Sequence, residues 1–158
     1  MKKISKLVVL MLILTLSITA LCACGGNGDN KAETTPDYQA TVKKYTDATY
    51  EVESINVANE TDKNQIASMN KNFKEQLKID VEIEWMIYGS KNSDNSYAMA
   101  QVVCFKTAEQ AKAFKKANEA YAEDAKKEGA TVVLKTQGNA VIVEMTETIP
   151  ETQVEQAA

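Results

Sequence analysis

An alternation of apolar and polar side chains between Ile79 and Tyr88 constrains the fold more than any other feature of this chain. The odd positions oppose the even ones, with Ile79, Val81, Ile83, Trp85 and Ile87 on one side and Asp80, Glu82, Glu84, Met86 and Tyr88 on the other. Successive side chains of a strand point to opposite faces, so this pattern predicts an antiparallel strand that is buried on one face. Such a strand needs partner strands and a covering layer of helices.

The rest of the chain predicts these other elements. They are a helix after Pro36, a strand over residues 50–58, a helix over 63–78, a strand over 97–105, a helix from 107 to 129, and strands over 131–136 and 140–145. The helices are indicated by apolar residues three or four apart, and two of them by N-cap signals at Asp62 and Thr107 with glutamine three residues later.

Two polar connections predict β-hairpins, one over Gly89–Ser96 and one at Gln137-Gly138-Asn139. The strand from Tyr97 to Phe105 is apolar on both faces, so we expect it in the middle of the sheet. The predicted fold class is α+β, an antiparallel sheet with helices packed mainly on one face, in the order α-β-α-β-β-α-β-β.

The chain contains neither histidine nor arginine, because all 18 of its basic residues are lysines. The absence of histidine excludes a Cys-His or Ser-His nucleophile, an imidazole general base and a histidine metal ligand. The absence of arginine removes the planar side chain that binds carboxylate or phosphate through two parallel hydrogen bonds. We therefore expect no catalytic residue, no metal and no cofactor.

The beginning of the chain is organised like an export signal. Lys2, Lys3 and Lys6 form a positive segment, and the apolar run Leu7–Leu21 follows it. At about 15 residues this run is shorter than the roughly 20 that a membrane-spanning helix needs. Glycine and polar residues come directly after it, so we expect a cleaved signal rather than a retained transmembrane helix.

Where the apolar run ends, the sequence reads Leu21-Cys22-Ala23-Cys24-Gly25. This segment resembles the lipobox of bacterial lipoprotein precursors, although Cys22 departs from the usual pattern. The resemblance implies that signal peptidase II cuts before Cys24 and that the Cys24 sulfur carries a diacylglyceryl group. Acyl chains such as palmitate would then hold the protein on the extracytoplasmic face of the cell membrane. An ordinary secretory signal cut after Ala20-Leu21-Cys22 is the alternative, and it leaves Cys24 without a role.

The resemblance divides the chain into four parts. Residues 1–23 are the signal, residues 24–35 a flexible tether, residues 36–146 a single α+β domain and residues 147–158 a frayed tail. The domain resembles small uncharacterised lipoprotein domains of Gram-positive bacteria, through its Tyr50–Glu53 strand and its hairpin at Gly138–Val141. That layout implies no known chemical activity.

The mature chain is predicted to be acidic. The whole sequence has a formal net charge of −4, and three lysines but no acid leave with the signal, so that 15 lysines and 22 acidic residues remain and the charge becomes −7. An acidic domain is repelled by nucleic acid and by anionic lipid. We expect no nucleic-acid partner, and membrane attachment through Cys24 alone.

Asp80, Glu82 and Glu84 place three carboxylates on one face of the first predicted strand, about 6.6 Å from one to the next. Such a stripe arises wherever a strand face meets solvent, and this is one interpretation. The other is that the carboxylates hold a divalent cation or form an acid/base pair. Together with Met86 and Tyr88, the stripe is the candidate partner surface.

Three other features are interpreted mainly as structural. Cys104 lies in the apolar segment Val102–Phe105, so we expect a buried thiol without a reactive role. Trp85 is expected in the core rather than at a ligand. Asn92, Asp94 and Ser96 alternate in a predicted loop but lack the glycine and the distal glutamate of a calcium loop.

These observations favour a non-enzymatic binding or accessory module of the cell envelope, whose partner is an envelope protein, a peptide or a small ligand. Two alternatives stay open. One is a hydrolase of envelope glycans that uses two of the carboxylates at positions 80, 82 and 84. The other is a small solute-binding lipoprotein.

Overall fold

The computed structural model describes residues 34–93 and 95–148. This part of the chain is an α+β domain with three helices and a five-stranded antiparallel sheet, which confirms the predicted class. Its elements in chain order are α1 (Tyr38–Asp47), β1 (Glu51–Asn56), α2 (Glu60–Gln76), β2 (Ile83–Ser93), β3 (Ser96–Phe105), α3 (Ala108–Lys127), β4 (Thr131–Gln137) and β5 (Ala140–Thr148).

The strands lie in the order β1-β2-β3-β5-β4, and every neighbouring pair is antiparallel. β3 is the central strand, as its apolar character on both faces predicted. β4 and β5 form a hairpin closed at Gly138 and Asn139. Gly138 has a φ of 56°, a left-handed conformation that glycine adopts without strain.

Helices α2 and α3 pack on one face of the sheet. Their apolar stripes meet alternate residues of β3 and β5 in a core that contains Ile66, Met69, Phe73, Val103, Phe105, Ala111, Phe114 and Val141. Three phenylalanines pack at its centre in tilted orientations, with the ring centroid of Phe114 5.2 Å from that of Phe73 and 5.1 Å from that of Phe105.

Helix α1 packs on the opposite face, so the sheet has helices on both sides. Tyr38, Val42 and Tyr45 of this helix contact the other set of alternate residues, among them Trp85, Ile87, Val102 and Ile142. The expectation that helices pack mainly on one face therefore holds for α2 and α3 and not for α1. The physical reason is that β2, β3 and β5 are apolar on both faces, and each face needs a cover.

The prediction that residues 79, 81, 83, 85 and 87 share one face is wrong. Ile83 pairs with Phe105 and Trp85 pairs with Cys104, so Glu84 is an extra residue that forms a β-bulge. The bulge reverses the faces. Val81 and Ile83 join the core under α2 and α3, whereas Trp85 joins the core under α1.

The predicted beginning of α2 is also wrong. The N-cap is Asn59, whose side chain accepts a hydrogen bond from the Thr61 amide at 3.3 Å, so the helix starts before Asp62. The Asp62 carboxylate instead accepts from the Asn56 amide at 3.0 Å and ties the helix to the end of β1. Thr107, by contrast, caps α3 as predicted. Its hydroxyl accepts a hydrogen bond from the Gln110 amide at 3.2 Å.

The predicted loop over 89–96 is wrong in extent, because β2 continues to Ser93 and β3 begins at Ser96. The predicted tail over 147–158 begins too early, since β5 runs to Thr148; the rest of that tail, the signal and most of the tether lie outside the described residues. None of the helices in residues 34–148 combines the length and the apolar composition that crossing a bilayer requires.

Candidate functional site

The acidic residues of the predicted partner surface are solvent-exposed, and two of the three pair with lysines. Asp80 pairs with Lys74 at 2.8 Å and Glu82 pairs with Lys106 at 3.0 Å. Both carboxylates lie before β2 begins, and Glu84 occupies the bulge. In the described part of the chain, no group of three or more cysteine or carboxylate side chains has the arrangement of a metal site.

Met86 and Tyr88 lie on the sheet face that α2 and α3 cover. Met86 packs against the core under these helices, and the Tyr88 hydroxyl is 3.0 Å from that of Tyr97. The structure therefore does not bring residues 80, 82, 84, 86 and 88 together on one face. The bulge and the late start of β2 separate them.

Cys104 is buried in the core under α1, with 1% of its surface exposed. Burial raises the pKa of its thiol to about 12, and the nearby Glu84 carboxylate contributes in the same direction. A thiol with this pKa forms almost no thiolate at neutral pH. The prediction that Cys104 is buried is confirmed.

Trp85 is a core residue as predicted, and its ring lies 5.7 Å from that of Tyr38. Of the three residues with a faint resemblance to a calcium loop, Asn92 is part of β2 and Ser96 part of β3. Asp94 lies outside the described residues.

A groove opens beside α1, where the helix leaves β4 and β5 uncovered. Its volume is about 330 Å³, and its lining consists of Lys44, Tyr45, Ala48, Tyr50, Thr131, Val133, Glu144, Met145 and Thr146. Binding pockets for small ligands range from about 300 to 1,000 Å³, so this groove falls at the lower end of that range. Val133 on its outer wall is 42% exposed, an unusual position for a large apolar side chain.

A hydrogen-bonded group of three side chains forms the polar part of the groove. The Tyr45 hydroxyl donates to Oε1 of Glu144 at 2.7 Å, and Nζ of Lys44 donates to the same oxygen at 3.2 Å. The Lys44 ammonium also lies 4.5 Å from the centre of the Tyr45 ring. We call Lys44, Tyr45 and Glu144 the groove triad.

The triad keeps Glu144 ionised. Partial burial by itself raises the pKa of this carboxyl, but the hydrogen bonds from Tyr45 and Lys44 and the charges of Lys44 and Lys135 together lower it below its ordinary value. Tyr45 is almost fully buried, and its pKa is raised by burial first and by the Glu144 carboxylate second. The phenol therefore remains a donor at neutral pH.

The triad assembles because two elements distant in sequence place their side chains on the same face. Tyr45 and Thr41 are the buried residues of α1, and α1 thus turns Tyr45 towards the sheet. On β5, alternation puts Glu144 on the same face as the buried residues Ala140 and Ile142. A carboxylate in this apolar register was the sequence signal for the site, and it was missed because nothing in the sequence places α1 over β5.

The groove presents both polar and apolar binding groups. Both triad contacts to Glu144 use Oε1, so Oε2 is the carboxylate oxygen that can accept a hydrogen bond from a ligand. The threonines at positions 131 and 146 add hydroxyls, and Tyr50 and Val133 add apolar surface. Such a site suits a small polar molecule with hydrogen-bond donors and one apolar side.

Comparison of the chain with models of protein families, with curated proteins and with solved structures finds no match.

Proposed function

We propose that this protein is a lipid-anchored module of the cell envelope that binds a small polar ligand in the groove beside α1. It acts without catalysis. Cys24 carries the anchor, and the domain over residues 34–148 carries the binding site.

The order of features at the N-terminus supports the anchor. A lysine-rich segment, a short apolar run, the lipobox-like Leu21-Cys22-Ala23-Cys24 and a glycine occur in the sequence that lipoprotein export requires. Two acyl chains hold a protein on a bilayer stably, at about 0.8 kcal/mol for each buried methylene.

The single observation that carries the binding proposal is the partly buried, ionised Glu144 in an open groove. Keeping a carboxylate ionised in such a place requires the donors of Lys44 and Tyr45, which both contact it. Ionisable groups whose pKa is shifted by burial and by specific partners cluster at functional sites. The exposed pairs of Asp80 and Glu82 resemble ordinary surface ion pairs instead.

The same chemistry favours binding over hydrolysis in this groove. A general acid for glycoside cleavage needs a carboxyl whose pKa is raised so that it holds a proton at neutral pH. The pKa of Glu144 is lowered, so this carboxylate accepts hydrogen bonds but has no proton to give.

The anchor is tested by the intact mass of the membrane-extracted protein, with the Cys24→Ala variant beside the wild type. We expect a mass equal to residues 24–158 plus the acyl groups, and we expect the variant to lose both the acyl groups and membrane association. An uncleaved or unlipidated wild type would contradict the anchor.

The groove is tested by nuclear magnetic resonance titration with a panel of neutral mono- and disaccharides and uncharged dipeptides. We expect a binder whose chemical-shift changes centre on residues 44–50, 131–133 and 144–146. Glu144→Gln should weaken it about tenfold or more, because hydrogen bonds to a charged group contribute roughly 1.5 to 3 kcal/mol.

Glu147→Gln is the matched control. It removes another carboxylate of β5 but one that alternation places on the opposite face. Equal losses in the two variants, or shift changes away from the groove, would contradict the proposed site.

A further inference from the structure

The chain is hydrogen-bonded to one end of the sheet just before α1 begins. The Thr35 hydroxyl accepts a hydrogen bond from the Asn139 amide at 2.9 Å, and the Gln137 side chain donates to the Thr34 carbonyl at 3.2 Å. Both contacts are made to the turn between β4 and β5. We call this end of the domain the turn end.

The contact is close enough to exclude a side chain at the turn. A Cβ atom added to Gly138 would collide with the backbone and the hydroxyl of Thr35. Asn139 also donates to the Lys106 carbonyl at 3.3 Å, which joins the turn to the segment between β3 and α3. Thr34 and Thr35 therefore bind to a hairpin that is itself hydrogen-bonded to the segment between β3 and α3.

The groove lies away from the turn end, towards the first residue of β4. Its paired lining residues Val133 and Glu144 are four residues from Gln137 and Ala140, about 14 Å along an antiparallel strand. Thr131 is six residues from Gln137, about 20 Å.

Helix α1 runs from the turn end towards the groove. Its first residue, Tyr38, contacts Ser54 and Trp85. At its other end, the Ala48 carbonyl accepts a hydrogen bond from Lys91, which lies near the β2–β3 turn.

We infer that the domain stands on the membrane on its turn end and presents the groove triad away from the bilayer. This inference rests on the proposed anchor at Cys24. The chain from Cys24 enters the described residues at Thr34, which is bound to the turn end. The turn end is therefore the part of the domain nearest the attachment, and the groove is the more distant part.

The orientation identifies where the ligand comes from. A groove that faces away from the bilayer meets solutes and polymers of the extracytoplasmic space before it meets lipid headgroups. The ligand of the groove is thus a water-borne or wall-borne molecule with hydroxyl or amide donors, and a lipid headgroup is the source that the test must separate from it.

The test places a fluorophore at either end of the lipidated protein in phosphatidylcholine vesicles that contain a nitroxide-labelled lipid. Lys106→Cys provides the label at the turn end, and Asn92→Cys provides it at the far end of the sheet, near the β2–β3 turn. Both positions are exposed, whereas Cys104 is buried and is therefore protected from the label. We expect at least twofold stronger quenching at position 106 than at position 92.

The possible outcomes distinguish a failure of the proposed orientation from a failure of the proposed anchor. Absence of vesicle binding would contradict the anchor. Vesicle binding with equal quenching, or with stronger quenching at position 92, would overturn the orientation while leaving the anchor intact. Competition between vesicles and the saccharide or peptide probe for the groove would assign the ligand to lipid and also overturn the inference.

A pair of variants tests the hydrogen bond between the Asn139 amide and the Thr35 hydroxyl. Thr35→Val removes the hydroxyl acceptor and keeps the branched shape, whereas Thr34→Val keeps the carbonyl that this residue uses. We expect hydrogen exchange of the Asn139 amide to accelerate at least fivefold in Thr35→Val and to stay unchanged in Thr34→Val. Unchanged exchange in both variants would contradict this hydrogen bond.

Discussion

Tyr45 and Glu144 show how one buried hydroxyl can determine the state of a carboxylate. The phenol is buried against the sheet and directs its proton at the carboxylate from 2.7 Å, while Lys44 reaches the same oxygen from the exposed side. The short distance is typical of a hydrogen bond to an ionised acceptor.

Replacing Tyr45 by phenylalanine should destabilise the domain and raise the pKa of Glu144. The variant removes only the hydroxyl, so it leaves the carboxylate with Lys44 as its remaining donor in the triad. We expect a loss of about 1.5 to 3 kcal/mol in the free energy of unfolding measured in urea.

Tyr50→Phe is the control, since its ring packs 5.5 Å from that of Tyr45 but its hydroxyl has no hydrogen-bond partner among the described residues. We expect this control to change stability by less than about 0.5 kcal/mol. A similar loss in the two variants would mean that ring packing, and not the hydroxyl, carries the effect.

Single residues were predicted from the sequence where their neighbours alone decide the environment. Cys104 is such a case, because an apolar strand segment buries its central residue whichever helix covers it. Glu144 is the opposite case. Its environment depends on Tyr45 and Lys44, which are about a hundred positions away in the chain and meet it only after folding.

At the scale of elements, the bulge in β2 is the feature that most alters the layout. One additional residue, Glu84, reverses the face to which every later side chain of the strand points. The strand thereby supplies Ile83 to the core under α2 and α3 and supplies Trp85 and Ile87 to the core under α1.

Deleting Glu84 should therefore be tolerated. Ile83 stays opposite Phe105 and Trp85 stays opposite Cys104, so the deletion restores continuous alternation and leaves Trp85 and Ile87 facing α1. We expect cooperative urea unfolding to persist in the deletion variant. Glu84→Ala keeps the register and should cost less than about 1 kcal/mol, since the side chain is exposed. A deletion variant that has lost cooperative unfolding would show that the bulge itself is required.

At the scale of the whole molecule, four buried or partly buried acids of the described residues have a raised pKa and shape the response to alkaline pH. Burial is the largest cause of the raised pKa at Tyr45, Tyr97, Cys104 and Tyr121. The unfolded chain releases these protons near the ordinary values of 10.0 for tyrosine and 9.0 for cysteine, whereas the folded domain retains them. Their contribution to stability is thus complete below these values and is lost as the pH rises above them.

The free energy of unfolding should accordingly be level near neutral pH and fall above about pH 9. It should also fall in acid, because the lowered pKa of Glu144 contributes stability only above the ordinary carboxyl value of 4.5. Urea titrations from pH 3 to pH 11 measure both limbs. Tyr97→Phe should flatten the alkaline limb, and Glu144→Gln the acidic one; a slope unchanged by either variant would contradict the assignment.

The sequence by itself determined the α+β class, the approximate position of each helix and strand, the central place of β3 and the hairpin at Gly138. These properties follow from local periodicity, capping and turn chemistry, which neighbouring residues express without distant partners. Only the tertiary structure decided the reversal at Glu84, the position of α1 on the opposite face and the groove beside it. Each of these depends on which surfaces remain uncovered once the sheet has formed, and that is a property of packing between residues far apart in the chain.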